Sequence, residues 1–377
     1  MTPTRRQLFV AAVLGLCAAA LIVNSAQVAT DTLPADLGDR AFWQMVVDFS
    51  EADGLFRSDN FVSNERTYQE VIPELSKRAL PNGVYLGVGP DQNFTYVTAL
   101  RPRMAFIIDI RRQNLIQHLL YKAVVEMSDD RGEFLSRLFS RPRPPGLDES
   151  SPARALFDAY DGVDASDALF QKNVADIERW LVERHAFPLT PDDLRSLEYV
   201  YHAFFSEGPS LRYSFPKPRL GRVFPTYAEL MMEADLDGVN HSYVASEQNF
   251  RALREVERRN LLVPIVGDFG GDKALRAVGR YLKAHGATVN YFYTSNVEQY
   301  LFQNDAFRRY YSNVATLPLG EKSTFIRSYF DAGFLYPPGI ITSDLHSVQL
   351  LDPISSLLNS FARGKILAYS DVVERSR

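Results

Sequence analysis

The stretch Gly83-Val-Tyr-Leu-Gly-Val-Gly-Pro-Asp-Gln-Asn93, followed by Met104-Ala-Phe-Ile-Ile-Asp109, constrains the fold more than any other part of this chain. A short apolar run closes on two glycines one residue apart, Gly87 and Gly89. A helical segment over Asn93–Leu100 stops before Pro102, and a second apolar run ends in Asp109. Runs this short and unbroken read as parallel strands covered on both faces. Parallel strands need a crossover, and the intervening segment has a helix's length and composition. Glycines at the first strand end let backbone approach a ligand, and an acid at the second can hold two ribose hydroxyls. The plainer readings are a tight turn without ligand for the glycines and a helix N-cap for Asp109.

The same alternation recurs along the chain. Asp39–Glu51 carries Phe42, Met45, Val46 and Phe49 at helical spacing, and Tyr68–Leu75 and Gln113–Met127 also read as helices. Pro81-Asn82-Gly83 is a turn. Ser246–Asn260 is a charged helix, Leu261–Val266 a strand ending in Gly267-Asp-Phe-Gly-Gly271, Lys273–Ala284 a helix, and Val289–Thr294 a strand ending in Ser295-Asn296. The tail predicts helices over Asp305–Tyr311 and Ser323–Ala332 and short strands near Ile340–Thr342 and Ile366–Tyr369. Arg141-Pro-Arg-Pro-Pro-Gly146 opens a linker reaching to about Asp161, and Ala165–Gly208 is a helical insert. Pro209–Pro225, with exposed-looking Tyr213 and Phe215, reads as a lid or a plain surface loop. Strands separated by helices predict an α/β chain with a mainly parallel, doubly wound sheet flanked by helices and carrying the helical insert. The expected divisions are 31–140 and 246–377 for the two halves of the core and 141–245 for the linker and insert. Pro264 cannot donate to a ladder, which places its strand at a sheet edge.

Ligands of such sheets bind beyond the C-terminal strand ends. The candidate residues there are Gly87, Gly89, Asp91, Gln92 and Asn93 after the first strand and Asp109 after the second. Asp268 and Gly270 follow the third strand, and Ser295 and Asn296 the fourth. These four ends resemble the class I, Rossmann-like S-adenosylmethionine-dependent methyltransferases. The resemblance rests on Leu86-Gly-Val-Gly89, Asp109, Gly267-Asp268 and Ser295-Asn296, and covers about Val84–Ile110 and Leu261–Gln299. It implies S-adenosylmethionine as cofactor, with its amino-acid end on the glycine loop, ribose on Asp109, adenine on Asp268, and Ser295-Asn296 beside the methyl group. The overall pattern is also similar to a family of uncharacterised bacterial proteins with such a core, which implies a fold and no established activity.

Several departures bear on activity. Tyr85 or Leu86 stands where the methyltransferases carry an acid before the glycine loop, and Gln92 replaces a third glycine. Thr294-Ser-Asn-Val297 replaces the Asn/Asp-Pro-Pro-aromatic motif of amino-group methyltransferases. No residue identifies itself as a base for the acceptor. Asn60, Ser63, Asn64 and Glu65 read either as a segment folded over the cofactor or as a capped helix start. The six histidines lack metal-ligand spacing, so no metal is expected. Asp268-Phe-Gly270 spells the magnesium motif of kinases but lacks every companion motif.

The first thirty residues read as a leader. Arg5-Arg6 precede the uncharged run Leu8–Val23, and Asn24-Ser25-Ala26 follow as a cleavage region. The run is short for a membrane span, so contact with a membrane is expected only through this segment if uncleaved. Thr4-Arg5-Arg6-Gln7-Leu8-Phe9 also resembles a twin-arginine export signal. Cys17, the one cysteine, lies in this leader, which excludes disulfides and thiolate chemistry from the mature chain. Two of the 41 basic residues leave with the leader, so 39 face 46 acidic ones, a balance of −7 that offers no field for nucleic acid. Two readings follow. One is an S-adenosylmethionine-binding, methyltransferase-like protein. The other is an exported, non-enzymatic small-molecule-binding protein on a degenerate version of the scaffold, because the cofactor is made in the cytoplasm.

Overall fold

The computed structural model describes residues 32–80, 83–214, 224–330 and 347–376. The leader, Phe215 and the strand expected at Ile340–Thr342 lie outside them. Chain order begins with helices α1 (Asp39–Phe49) and α2 (Ile72–Lys77), then β1 (Gly83–Gly87), α3 (Gln92–Leu100), β2 (Met104–Asp109), α4 (Arg112–Glu126) and α5 (Arg131–Phe139). Next come α6 (Ala153–Tyr160), α7 (Asp167–Arg179), α8 (Pro191–Glu207), α9 (Tyr227–Met232) and α10 (Glu247–Arg258). The second half runs β3 (Leu262–Val266), α11 (Ala274–Ala284), β4 (Thr288–Ser295), α12 (Val297–Gln303), α13 (Phe307–Val314) and β5 (Leu319–Phe330). It ends with β6 (Ser347–Pro353), α14 (Ile354–Ala362) and α15 (Tyr369–Arg375).

The sheet has six strands in the order β3-β2-β1-β4-β5-β6. The first five are mutually parallel and β6 is antiparallel to β5. Strand order reverses between β1 and β4, so the crevice beyond their carboxyl ends is where ligands of this architecture bind. β1, β2 and β3 are buried along their whole length, which explains their unbroken apolar sequences. Pro264 sits opposite Ile107 in β3, whose other side is a sheet edge among the described residues, as its missing N–H requires. The α4 helix packs on both β3 and α8, tying the helical insert to the sheet.

Four expectations need correction. Ser323–Ala332 was expected to be a helix, but Leu319–Phe330 is strand β5. Ser323 through Ser328 are buried on both faces, so the run shows no alternation, and its β-branched and aromatic residues suit a pleated layer. Ile366–Tyr369 is not a strand; it leads into α15, where Asp371 accepts from the N–H groups of Leu367 and Ala368 as a helix start. The stretch 141–161, expected as linker, contains α6, whose Leu156, Phe157 and Tyr160 join the core. Tyr213 is buried against Phe224, not exposed.

Candidate functional site

The loop from β1 into α3 is shaped by its own residues. Gly89 has φ +80°, a left-handed conformation that favours glycine. Gly87 is glycine for a different reason: a Cβ there would collide with the Asn93 amide and the Tyr85 ring. Asn93 is fully buried and folds back under the loop, donating to the carbonyls of Val88 (2.9 Å), Gly89 (3.3 Å) and Pro90 (2.7 Å). The Tyr85 hydroxyl donates to its Oδ1 at 2.8 Å. The space that the Gly-x-Gly pattern reserves beneath the loop is therefore filled by a side chain of the loop itself.

The other strand ends are also engaged internally. Asp109 and Arg111 are 5% and 6% exposed. Arg111 donates from Nε to Oδ1 (3.1 Å) and from Nη2 to Oδ2 (3.2 Å), so one guanidinium spans both carboxylate oxygens. Asp268 turns back to accept from the Gly270 N–H at 2.8 Å. At the same loop the Glu51 carboxylate accepts from the N–H groups of Asp268 (3.1 Å), Lys273 (2.8 Å) and Ala274 (2.7 Å), capping α11. Gly270 itself makes ordinary contacts and would accommodate a Cβ. Asn296 precedes α12 and lies 3.5 Å from the Ser295 hydroxyl.

Asp91 and Gln92 part company. Asp91 points into the α3–α10 side, where the Tyr243 hydroxyl donates to it at 2.8 Å and is itself bonded to Tyr227 at 2.6 Å. Burial pushes the Asp91 carboxyl up to about 7. Gln92 instead donates to the Tyr293 hydroxyl at 3.0 Å, and its buried Oε1 has no partner. Nearby His118 meets the Gly89 carbonyl at 2.9 Å, and burial pulls its imidazole down to about 4.

What closes the carboxyl edge is the irregular segment 50–69. It crosses the strand ends in sheet order. The Glu51 N–H donates to Val266 at the end of β3 (2.8 Å), and Gly54 donates to Ile110 just beyond β2 (2.8 Å). The carbonyls of Ser58 and Asp59 accept from Arg111. Asn60, with φ +52°, stands over Gly89, and the Phe61 carbonyl accepts from Gln117 on α4 at 2.6 Å. Glu65 then reaches the ends of β4 and β6. It accepts from the Tyr293 hydroxyl (2.6 Å), the Gln349 amide (3.2 Å) and the Ser295 hydroxyl. Thr67 meets Ser347 at 3.4 Å.

Glu65 is 1% exposed, and no cation pairs with it among the described residues. Burial pushes its carboxyl up against the pull of its four donors, Ser295, Ser328, Tyr293 and Gln349. Ser295, on β4, holds a left-handed φ of +50° while reaching it. The structure thus brings together Gly89, Gln92 and Ser295 around Glu65 and Tyr293 at the switch point. It directs Asp91 and Asn93 into the interior, and ties Asp109 and Asp268 to local partners. Sequence reasoning missed Arg111, Glu51, Tyr293 and Gln349 as parts of this edge. An arginine two residues after the strand-end acid was the one local signal available.

Two cavities formed by described residues lie elsewhere. One of about 640 Å³ is lined by Glu126, Arg137, Trp180 and Arg184 beside the helical insert. Another of about 500 Å³ lies at the opposite edge, around Val97, Arg101 and Arg103.

Fold and crevice define the chain as an α/β protein of Rossmann-like type. The sequence model of a family described as a domain of unknown function (DUF7790) matches residues 60–143 and 151–359, and the chain belongs to that family. No curated protein matches it.

Proposed function

We propose that this protein is an exported, non-enzymatic small-molecule-binding protein on a degenerate Rossmann-like scaffold. The observation that carries this reading is the engagement of Asp109: both of its oxygens accept from Arg111, whose guanidinium stands against the carboxylate that would hold a ribose. The filling of the β1 loop by Asn93 and of the β3 loop by Glu51 and Asp268 supports it. Export rests on the sequence of the leader, and N-terminal sequencing that starts at Met1 in a cytoplasmic fraction would contradict it.

The S-adenosylmethionine-binding, methyltransferase-like reading is favoured by one observation. The strand order and the β1–β4 switch point put Gly89, Gln92, Ser295 and Asn296 at the crevice where a nucleotide-type cofactor binds. On that reading Arg111 would have to leave Asp109 when ligand enters.

Native mass spectrometry of the full chain, purified without unfolding, separates the two. A bound species other than a nucleoside is the expected result. Bound S-adenosylmethionine or its demethylated product would overturn the proposal, and a bare chain would count against a resident small molecule.

A further inference from the structure

We propose that residues 50–69 form a displaceable strap over the ligand crevice, with the Glu65 carboxyl as its latch, closed when neutral and released when ionised. The inference rests on the crevice being a ligand site. The strap has no helix or strand through most of its length, yet it covers the carboxyl ends of β3, β2, β1 and β4 and the amino-terminal start of antiparallel β6 in turn. A ligand at the switch point must occupy the space that Asn60, Phe61 and Glu65 now fill. Several contacts of the strap are neutral hydrogen bonds, such as those of Gly54, Phe61 and Thr67. Two of its carboxylates differ: half-buried Glu51 is held by three backbone N–H groups at a helix start, whereas buried Glu65 meets only neutral side chains among the described residues. An ionised carboxylate without a cation in a dry site is costly, so ionisation of Glu65 favours the state in which water reaches it.

The groups facing Glu65 do not take over this role. Tyr293 on β4, Tyr85 on β1, Tyr96 on α3 and Tyr369 on α15 are phenols pushed up by burial. β5 and β6 present Ser328 and Gln349. The nearest guanidinium of β5, Arg327, is held by Glu298 and Asp352. On the strap, Arg66 pairs with Glu233 at 2.7 Å, and Asp59 accepts from Tyr199 and Gln113. The sign follows. The folded carboxyl lies above its ordinary 4.5, so the latch is closed at lower pH and opens as pH rises through the folded value.

Hydrogen exchange of the ligand-free full chain, read by mass spectrometry and corrected for intrinsic rates, tests this. Peptides covering the strap are expected to exchange faster at pH 9 than at pH 4, while peptides of β1 and β4 keep their protection. Glu65→Gln, a neutral near-isostere, is expected to hold the strap closed at both pH values. Strap protection that does not change with pH, or that is lost together with β1 and β4, overturns the proposal, and the wild-type chain alone decides this. A pH response unchanged in Glu65→Gln overturns Glu65 as the latch. Because no ligand is used, failure here leaves the binding reading standing, and a nucleoside found by native mass spectrometry leaves the strap standing.

Discussion

At the scale of single residues, the site is built from side chains that answer one another. Asn93 offers the two N–H groups of its amide to three carbonyls of the loop, those of Val88, Gly89 and Pro90. Arg111 neutralises Asp109. Asp91 is the residue whose chemistry is most exposed to test, because its carboxyl sits at about 7 when folded against 3.8 ordinarily. Between those values the folded chain keeps a proton that the unfolded chain has released. Asp91 therefore removes stability as pH rises from about 4 to about 7 and has a flat effect above. His118 works in the opposite direction, since its folded value of about 4 lies below 6.5 and favours folding as pH rises. It is present in both proteins and cancels in a comparison. Asp91→Asn should consequently gain on the wild type through this window, by a few kcal/mol at most, given about 1.4 kcal/mol per pKa unit. Urea melts at a series of pH values measure it, and parallel stability curves for the two proteins would contradict the assignment.

At the scale of elements, the loops after the strands are held by pieces brought from far along the chain. Glu51 caps α11 across more than two hundred residues of sequence, with its carboxylate at the positive end of the helix dipole. Glu51→Ala should cost about 1–2 kcal/mol, the usual loss for a helix cap. A denaturant midpoint unchanged by this substitution would show that water replaces the carboxylate without penalty. Elements with a strong local signature were legible in the sequence. β1, β2 and β3 declared themselves as uninterrupted apolar runs, and the glycine at position 89 marked a left-handed turn. β5 was not legible, because burial on both faces erased its alternation, and polar Ser323, Thr324 and Ser328 within it resembled an amphipathic helix. The cap by Glu51 and the latch by Glu65 were illegible as contacts, since each joins an irregular segment to strands that lie distant in sequence.

At the scale of the whole molecule, the strand order places a crevice where this architecture binds nucleotides, and the chain then fills that crevice from its own N-terminal segment. Sequence pattern was enough to place the strand ends in one plane. It could not show that Asp109 and Asp268 were already satisfied, because a motif reports which residue stands at a strand end and not which partner holds it. On the proposed reading, internal bonds stand where the cofactor contacts of such a scaffold would be. Isothermal titration calorimetry of the full chain with S-adenosylmethionine, alongside Asp109→Ala, tests it most directly. No saturable heat is expected from either protein at ligand concentrations up to about 1 mM. Micromolar binding by the wild type that Asp109→Ala abolishes would contradict it.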